Sequence, residues 1–267
     1  MSTLTSAAGQ LQELAADIAR EAGDLARRRR AEGVSLAATK STLADIVTEA
    51  DREVEELIRG RLNVERPGDG FLGEESGAGE SSTGVTWIVD PIDGTVNYAY
   101  GLPSYSVSIA AVEGGAEPGR WQALAAAVYA PVFGELFTAA RGGGSWLDST
   151  RLAVSRETPA GALLGTGFGY DPTTHDGDLQ EVRQVMPIAR DVRRIGSAAI
   201  DLSYVAAGRL DGYFERGLKP WDFAAGALLV EEAGGVVTRL DTASARPMMI
   251  AAGAEVHARL SGILDKK

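Results

Sequence analysis

The sequence predicts a mixed α/β protein whose two subdomains pack closely around a cleft, and three observations support this fold class. The first half reads as two helices followed by strands, which is an α+β order. The second half alternates strands with helices. No internal repeat, heptad pattern or low-complexity linker separates the halves, so we expect subdomains at residues 1–150 and 151–267 that share one interface.

The first half is predicted to begin with two helices. Apolar residues recur at helical spacing within residues 4–30, which end in the basic run Arg27–Arg30, where the helix dipole favours cations. A second helix is predicted from about Thr48 to Arg61, with Thr48 and Asp51 at the spacing of a capping box. The apolar faces of the two helices comprise Leu11, Leu14, Ile18, Ala22, Leu25, Val54, Leu57 and Ile58.

Strands are expected to follow the two helices. Residues 63–86 are rich in Gly, Pro and Ser and read as loops on either side of residues 71–75. Residues 87–90 form a short apolar strand that Pro91 should stop, because proline donates no hydrogen bond to a neighbouring strand. Three further strands are expected at residues 105–111, 121–130 and 135–140, the last two as a hairpin. The alternation in the first of these is typical of a half-buried strand.

The second half is predicted to alternate strands and helices around a glycine-rich loop at residues 165–169. Gly208 and Gly234 are expected to end two of the helices. The strands are predicted at residues 162–166 and 210–215, and the helices at 176–187, 197–207 and 222–233.

Composition excludes several classes of chemistry. The 267 residues include no cysteine and two histidines, which excludes a zinc–thiolate site or cysteine nucleophile and disfavours a histidine-centred site. The formal net charge of −11 disfavours nucleic-acid binding, because a negative surface repels phosphates. No apolar run approaches the roughly 20 residues of a membrane span, and the first residues do not resemble a signal peptide. We therefore expect a cytoplasmic protein without membrane partners, whose chemistry depends on carboxylates.

The strongest chemical signal is the segment Asp90-Pro-Ile-Asp-Gly-Thr95. Two carboxylates stand three residues apart directly after an apolar strand, and the chain then turns at Gly94 into a predicted helix. This turn can offer two carboxylates and a backbone carbonyl to a hard cation such as Mg²⁺, which prefers oxygen ligands. The amides of Gly94 and Thr95 would lie at a helix N-terminus, where a phosphate can bind. A helix cap next to an ordinary turn aspartate is the alternative interpretation.

Three further acidic positions strengthen this interpretation, although each has an ordinary explanation. Glu74 and Glu75 lie in a glycine-bounded turn and could simply be solvated. Asp222 opens a predicted helix and could be its cap. Asp51 stands at another helix start, where capping explains it equally well.

Taken together, these segments resemble the inositol monophosphatase family. The resemblance is carried, in family order and spacing, by Asp51, Gly73–Ser76, Trp87–Asn97, Trp221-Asp222 and Gly234-Gly235. Residues Leu163–Tyr170 look closest to the bacterial SuhB-type branch. The resemblance implies the layered αβαβα sandwich of the inositol monophosphatase and fructose-1,6-bisphosphatase type, as well as a homodimer.

The resemblance also implies two to three bound Mg²⁺ ions, with Mn²⁺ as a possible substitute. Glu74, Asp90 and the carbonyl of Ile92 would hold the first ion, and Asp90, Asp93 and Asp222 would hold the second. A third, weaker ion would lie by Glu74. Most of these ligands fall in the first subdomain, whereas Asp222 and most substrate contacts fall in the second.

The roles implied for the site residues form one hydrolytic mechanism. The first ion would lower the pKa of a bound water, and the second would neutralise the leaving alkoxide. Thr95, oriented by Asp51, would aim the water at phosphorus, while the amides of Gly94 and Thr95 share the phosphate charge. The substrate contacts implied are Asp93, Gly94, Thr95, Gly196, Ser197, Ala198 and Glu215. Inhibition by lithium is also implied.

Several alternatives stay open at this point. Animal members of the family use a serine from the loop after residues 162–166 to bind inositol, whereas this loop reads Gly167–Tyr170. The substrate could therefore be fructose-1,6-bisphosphate, histidinol phosphate or another sugar or polyol phosphate. A regulatory protein that binds the transcription machinery is a second possibility, for which Arg27–Arg30 is the one suitable feature. A haloacid-dehalogenase-type phosphatase is disfavoured. Its two catalytic aspartates stand two residues apart, whereas Asp90 and Asp93 stand three apart with a proline between them.

Overall fold

The computed structural model describes residues 7–33, 36–39, 46–114, 119–156, 160–240 and 246–265. The helices are α1 (Ala7–Glu32), α2 (Glu49–Glu65), α3 (Thr95–Tyr100), α4 (His175–Val185), α5 (Ala198–Ala206), α6 (Pro220–Glu232) and α7 (Ala254–Leu264). The strands are β1 (Leu36–Thr39), β2 (Ile46–Thr48), β3 (Gly70–Gly73), β4 (Gly77–Gly79), β5 (Val85–Asp93), β6 (Ser106–Glu113), β7 (Gln122–Ala130), β8 (Glu135–Ala140), β9 (Gly144–Leu147), β10 (Thr150–Arg151), β11 (Ala162–Thr166), β12 (Ala189–Arg193), β13 (Gly212–Arg216), β14 (Val236–Leu240) and β15 (Met248–Ala252).

These elements form five layers, which confirms the predicted αβαβα sandwich. An eight-stranded sheet has the order β10-β9-β8-β7-β6-β5-β3-β4, and a five-stranded sheet has the order β12-β11-β13-β15-β14. Helices α1 and α2 cover the outer face of the larger sheet, while α5 and α6 lie between the two sheets and contact both. Helix α7 packs on the outer face of the smaller sheet with α4 beside it.

The centre of the larger sheet is buried on both faces, so the prediction of a half-buried strand at residues 105–111 was wrong. In β6, Val107 and Ile109 pack towards α1, whereas Ala110 and Val112 face the core that contains α5 and α6. Small residues on alternate positions let the middle helices approach this sheet closely. The alternation therefore reflects two different helix layers and not a solvent-exposed face.

Strand β5 runs through Pro91, although proline was predicted to stop it. The neighbouring β3 pairs with β5 only as far as Gly73 opposite Val89, so the missing amide of Pro91 removes no hydrogen bond on that side. On the other side the register with β6 shifts between Asp90 and Asp93, which accommodates the ring. The strand thus delivers both aspartates to the same end of the sheet.

The segment predicted as loops at residues 63–86 contains strands β3 and β4. Its glycines suggested turns, but two of them allow close packing within the sheet. A Cβ at Gly70 would lie 2.8 Å from Thr86 Oγ1, and one at Gly73 would collide with the side chain of Glu55. Glycine at these positions is therefore required by packing as well as by turn geometry.

The predicted helices are confirmed, with shifted ends. Residues 4–6 of the first predicted helix lie outside the described residues, and α2 continues to Glu65 because buried Leu62 extends its apolar face. Residues 189–193, 236–240 and 248–252 form strands, and 254–264 a helix, that the sequence pattern did not predict. No helix in the described part of the chain is long and apolar enough to cross a membrane.

The larger sheet ends with β10 and the smaller sheet begins with β11, so the predicted subdomain boundary at residues 150 and 151 falls within the last strand of the larger sheet. The middle helices α5 and α6 come from the second half of the chain but bury residues against both sheets. The division into two subdomains stays a prediction, since these helices belong structurally to both.

The close contact of α5 and α6 leads to a prediction about stability. A Cβ at Gly226 of α6 would lie 2.5 Å from the Cβ of Leu202 in α5, so Gly226→Ala should destabilise the protein by about 1–3 kcal/mol through overpacking. Gly60→Ala is the matched control, since nothing lies within 4 Å of its Cβ position in α2. It should stabilise the helix by about 0.5–1 kcal/mol. Urea denaturation measures both, and a stabilised Gly226→Ala would contradict the packing argument.

Candidate active site

A cleft of about 620 Å³ lies where the C-terminal ends of β5, β11 and β13 meet the N-terminal ends of α3, α5 and α6. Carboxylates predominate among its charged side chains. Helix N-termini carry a partial positive charge and exposed amides. The cleft therefore combines anion-binding helix ends with a group of carboxylates that can attract cations.

Asp90 lies at the centre of the carboxylates. Its side chain is 2% exposed, and its Oδ1 accepts a hydrogen bond from the amide of Ile92 at 3.1 Å. Burial raises the pKa of Asp90 well above its ordinary value, and the nearby charges of Glu74 and Asp93 raise it further. An ionised Asp90 consequently needs a compensating positive charge.

Glu74 lies in the turn directly after β3 and lines the cleft half-buried, so it is more than a solvated loop residue. Its amide donates to the carbonyl of Val89 at 3.2 Å and continues the pairing of β3 with β5. Buried Glu55 of α2 supports the same turn by accepting from the amide of Glu75 at 2.9 Å. The turn is thus fixed on both sides of Glu74.

Asp93 joins the two halves of the chain. Its Oδ2 accepts hydrogen bonds from Ser197 Oγ at 2.7 Å and from the amide of Ala199 at 2.6 Å. Burial raises the pKa of Asp93 to about 6, although these bonds at the N-terminus of α5 lower it. The same Ser197 side chain caps α5 by accepting from the amide of Ile200 at 3.3 Å.

Asp222 is the third residue of α6 and not its cap. The helix is preceded by Lys219, whose amide donates to Asp222 Oδ2 at 2.6 Å. This bond is one half of a capping box, so the capping explanation was partly correct. Burial raises the pKa of Asp222 well above its ordinary value, with a further contribution from Asp93. The side chain lines the cleft beside the other carboxylates.

This set of oxygen donors fits a hard divalent cation. Asp90, Asp93 and Asp222 each direct one carboxylate oxygen to a backbone amide, which fixes the orientation of the side chain. No three acidic or histidine side chains among the described residues converge closely enough to enclose an ion as they stand. Burial first, and repulsion from neighbouring carboxylates in addition, raise the pKa values of Asp90 and Asp222, and a cation between them would remove that repulsion.

Thr95 and Asp51 meet at the side of the cleft, as predicted. Thr95 Oγ1 lies 3.1 Å from Asp51 Oδ1 and 3.0 Å from the carbonyl of Ile92, so its single proton can be donated to either oxygen. Asp51 is 1% exposed and is not part of the cleft wall. Asp51 can therefore affect the cleft through its hydrogen bond with Thr95, which does line the cleft.

The predicted substrate contacts from the second half of the chain also line the cleft. Gly196, Ser197 and Ala198 line it at the N-terminus of α5, and Glu215 lines it at the end of β13. Tyr213 donates a hydrogen bond to Glu215, and burial raises the pKa of Glu215 to about 7. A salt bridge from Glu215 to Arg216 is not formed, because Arg216 is paired with Glu181.

Comparison with known proteins agrees with this arrangement. A sequence model described as the inositol monophosphatase family matches residues 4–265. The chain belongs to this family. It is 43% identical over 276 residues to the inositol-1-monophosphatase SuhB of Mycobacterium tuberculosis, with 96% of this chain and 91% of that protein covered. Since the family is one of phosphatases, phosphatase chemistry is confirmed at the level of the family.

Two further members of the family show how widely the likeness extends. The crystal structure of extragenic suppressor protein suhB from Bartonella henselae matches with a TM-score of 0.86 at 36% identity and covers 96% of this chain and 99% of that one. The Nus factor SuhB of Xylella fastidiosa is 41% identical over 232 residues, which cover 86% of this chain and 82% of that protein. The family fold therefore extends over almost the whole chain.

The charged residues of the cleft that were not named as site residues from the sequence include Asp201 and Arg194. Asp201 is 2% exposed on α5, and its Oδ1 has no hydrogen-bond partner among the described residues. An aspartate within the otherwise apolar helix Ala198–Ala206 was the available signal. Arg194 lines the cleft near Asp93 and Glu215 and lowers the pKa of each. Nothing in the spacing of Arg194 distinguished it from the neighbouring Arg193.

The basic run Arg27–Arg30 is only partly a solvated helix end. Arg29 donates to both carboxylate oxygens of Glu53 at 2.6 Å, which joins α1 to α2. Arg30 is half-buried beside Gly101, whereas Arg27 and Arg28 are exposed. The surface offered to a partner is thus smaller than the sequence suggested.

Asp90 provides a prediction about stability and pH. Burial raises the pKa of Asp90 in the folded state, whereas in the unfolded chain the same carboxyl loses its proton at about pH 4. Above that pH the unfolded state is therefore favoured by the ionisation of Asp90, and the stability of the wild type falls as pH rises. Asp90→Asn keeps the acceptor for the amide of Ile92 but cannot ionise. In excess chelator the variant should be more stable than wild type at pH 8, with a smaller difference at pH 4. Equal urea midpoints at both values would contradict the argument.

Proposed function

We propose that this family member is a metal-dependent phosphomonoesterase that hydrolyses inositol monophosphate or a related polyol or sugar phosphate by direct attack of water. The observation that carries the proposal is that Glu74, Asp90, Asp93 and Asp222 line one cleft together with the N-termini of three helices. Carboxylates hold cations and helix N-termini hold phosphate, so the cleft can bind both at the same place.

Two to three Mg²⁺ ions are the proposed cofactors, with Mn²⁺ as a substitute. Glu74, Asp90 and the carbonyl of Ile92 would hold one ion, and Asp90, Asp93 and Asp222 would hold another. Among the described residues that line the cleft there is no cysteine, methionine or histidine, which supports a metal that prefers oxygen ligands. When bound, the ions would supply Lewis-acid chemistry, lowering the pKa of water and neutralising charge on the phosphate.

The N-terminus of α3 is the proposed phosphate site. Gly94 precedes the helix with φ of 95°, a left-handed conformation that favours glycine. A Cβ there would lie 2.9 Å from the carbonyl of Ser104 and 3.0 Å from that of Gly196. Glycine therefore lets the chain turn so that the amides of residues 94 and 95 can face an anion.

Thr95 is the residue proposed to orient the attacking water. A Thr95 hydroxyl that donates to Asp51 keeps its lone pairs for a proton of that water. The water oxygen forms a bond to phosphorus while the bond from phosphorus to the alcohol oxygen breaks. One proton of the water ends on the departing alcohol, and the other stays with the phosphate.

Further properties follow from the family alone. A homodimer, a cytoplasmic location and inhibition by lithium are proposed on that basis. A regulatory role is not proposed, although the Xylella fastidiosa relative is named a Nus factor. The basic run that could serve such a role leaves only Arg27 and Arg28 exposed.

A phosphate-release screen tests the proposed activity. Inositol, sugar, histidinol and nucleotide monophosphates are supplied with Mg²⁺ and then with excess chelator. We expect hydrolysis of a polyol phosphate that the chelator abolishes and Mg²⁺ restores. Asp90→Asn should lose more than about tenfold in kcat/KM, a barrier change above about 1.4 kcal/mol, because Asp90 is the proposed shared ligand. Activity that persists in excess chelator would contradict the metal-dependent mechanism.

Glu215 is expected to select the substrate without taking part in the bond cleavage. A charged acceptor contributes about 1.5–3 kcal/mol per hydrogen bond to a substrate hydroxyl, so Glu215→Gln should raise KM for inositol phosphate by about tenfold or more. Its kcat/KM for p-nitrophenyl phosphate, which has no hydroxyls to bind, should change little. Glu135→Gln, which removes a carboxylate paired with Arg209 outside the cleft wall, is the control. Equal losses on both substrates would assign Glu215 to the fold or the metal site.

A further inference from the structure

The loop Gly167–Tyr170 forms one wall of the cleft, and a hydrogen-bond network away from the carboxylate cluster fixes its position. The network is centred on Asp178 of α4, which is 6% exposed. Asp178 Oδ2 accepts from the amide of Gly169 at 3.0 Å and lies 3.4 Å from Thr174 Oγ1. The loop is therefore attached to α4 through its backbone.

Arg246 provides the positive charge that pairs with Asp178. Its two terminal nitrogens donate to the two carboxylate oxygens of Asp178 at 2.9 and 3.1 Å, a bidentate pair of low exposure. One of them also donates to the carbonyl of Arg216 at 3.1 Å, and Arg216 donates back to the carbonyl of Arg246 at 3.2 Å. Arg216 follows Glu215 in β13, so the pair links the loop to the strand that carries the proposed substrate ligand.

Gly169 packs closely against the pair of Asp178 and Arg246. A Cβ at Gly169 would lie 2.7 Å from an Arg246 nitrogen and 2.6 Å from Thr174 Oγ1, and its carbonyl lies 2.9 Å from His175 Nε2. Gly167 packs directly against the carboxylate of Glu215 with no room for a side chain. The loop is therefore packed against the start of α4 at Gly169 and against Glu215 at Gly167.

The loop brings two aromatic residues to the cleft. Phe168 and Tyr170 both line the same cleft as Asp93 and Asp222. Their positions follow from that of Gly169, which stands between them. The shape of this wall consequently depends on the contacts made by Asp178 and Arg246.

We propose that Asp178 and Arg246 are positioning residues that hold the Gly167–Tyr170 loop against Glu215 and thereby set the preference for the alcohol half of the substrate. The inference rests on the proposed phosphatase function. Neither residue belongs to the proposed metal site, and the nitrogens of Arg246 that face Asp178 are already used in bonds within the protein. Asp178 does not line the cleft, so it acts through the loop and through Arg246, which does line it.

The test compares Arg246→Gln with wild type and with Arg209→Gln. The control removes another bidentate pair, from Arg209 to Glu135, whose residues do not line the cleft. Arg246→Lys is a second, milder variant, which keeps the charge but loses the planar fork that bonds Asp178 and Arg216 together. Two readouts are taken: hydrogen exchange of the peptide containing residues 167–170, and kcat and KM for inositol phosphate and p-nitrophenyl phosphate.

The expected result is faster exchange in the loop and a roughly tenfold lower selectivity for inositol phosphate over p-nitrophenyl phosphate in Arg246→Gln, since small displacements of a binding wall are costly. Arg246→Lys should fall between this variant and wild type, and Arg209→Gln should match wild type in both readouts. Unchanged exchange in the loop, or equal losses on both substrates, would overturn the inference.

The two readouts separate this inference from the proposed function. Wild-type protein that hydrolyses no phosphomonoester would refute the proposed function and, with it, the role in selectivity. The exchange comparison would then still decide whether Asp178 and Arg246 hold the loop. Should Arg246→Gln fail to fold, Arg246→Lys must show both changes, and its agreement with wild type would overturn the proposal.

Discussion

The arrangement of the cleft depends on the hydrogen bonds that Asp93 accepts from Ser197 and Ala199. Asp93 ends strand β5 of the larger sheet, and its partners lie at the start of a helix between the two sheets. One buried carboxylate thus sets how the first half of the chain meets the second. The turn at Gly94 packs closely against the same segment, since a Cβ there would lie 3.0 Å from the carbonyl of Gly196. The proposed phosphate contacts at the start of α3 and the proposed polyol contacts at the start of α5 thus lie on the two chain segments that this contact connects.

The cost of this arrangement is the burial of negative charge. Asp90 and Asp201 are each 2% exposed, and burial raises the pKa of both well above the ordinary value. A protein that needed only stability would place apolar side chains here. The apolar layers on both sides of the large sheet offset the penalty, because each fully buried Ile or Val side chain contributes about 1.5–3 kcal/mol. The buried carboxylate of Asp90, which the proposed activity requires, therefore lowers stability, whereas its apolar neighbours in β5 raise it.

The sequence predicted which acidic side chains line the cleft better than it predicted the strands and loops that carry them. The segment from Asp90 to Thr95 was informative because strand, turn and helix start follow within six residues. Pro91 misled, since its effect depends on where the neighbouring β3 ends, which is a tertiary property. Asp178 and Arg246 could not be paired, because they stand 68 residues apart and no periodic pattern relates them. Contacts that are local in the chain were predictable, and contacts created by packing two sheets together were not.

The edge of the smaller sheet constrains how copies of this protein can associate. Strand β12 forms one edge, and its sequence Ala-Arg-Asp-Val-Arg exposes Arg190, Asp191 and Arg193. A second copy adding a strand there would have to bring charged side chains together and remove the ion pair of Arg193 with Asp191 from water. Growth of a continuous intermolecular sheet from this edge is therefore disfavoured. Copies of the protein would associate more readily through another surface than through β12.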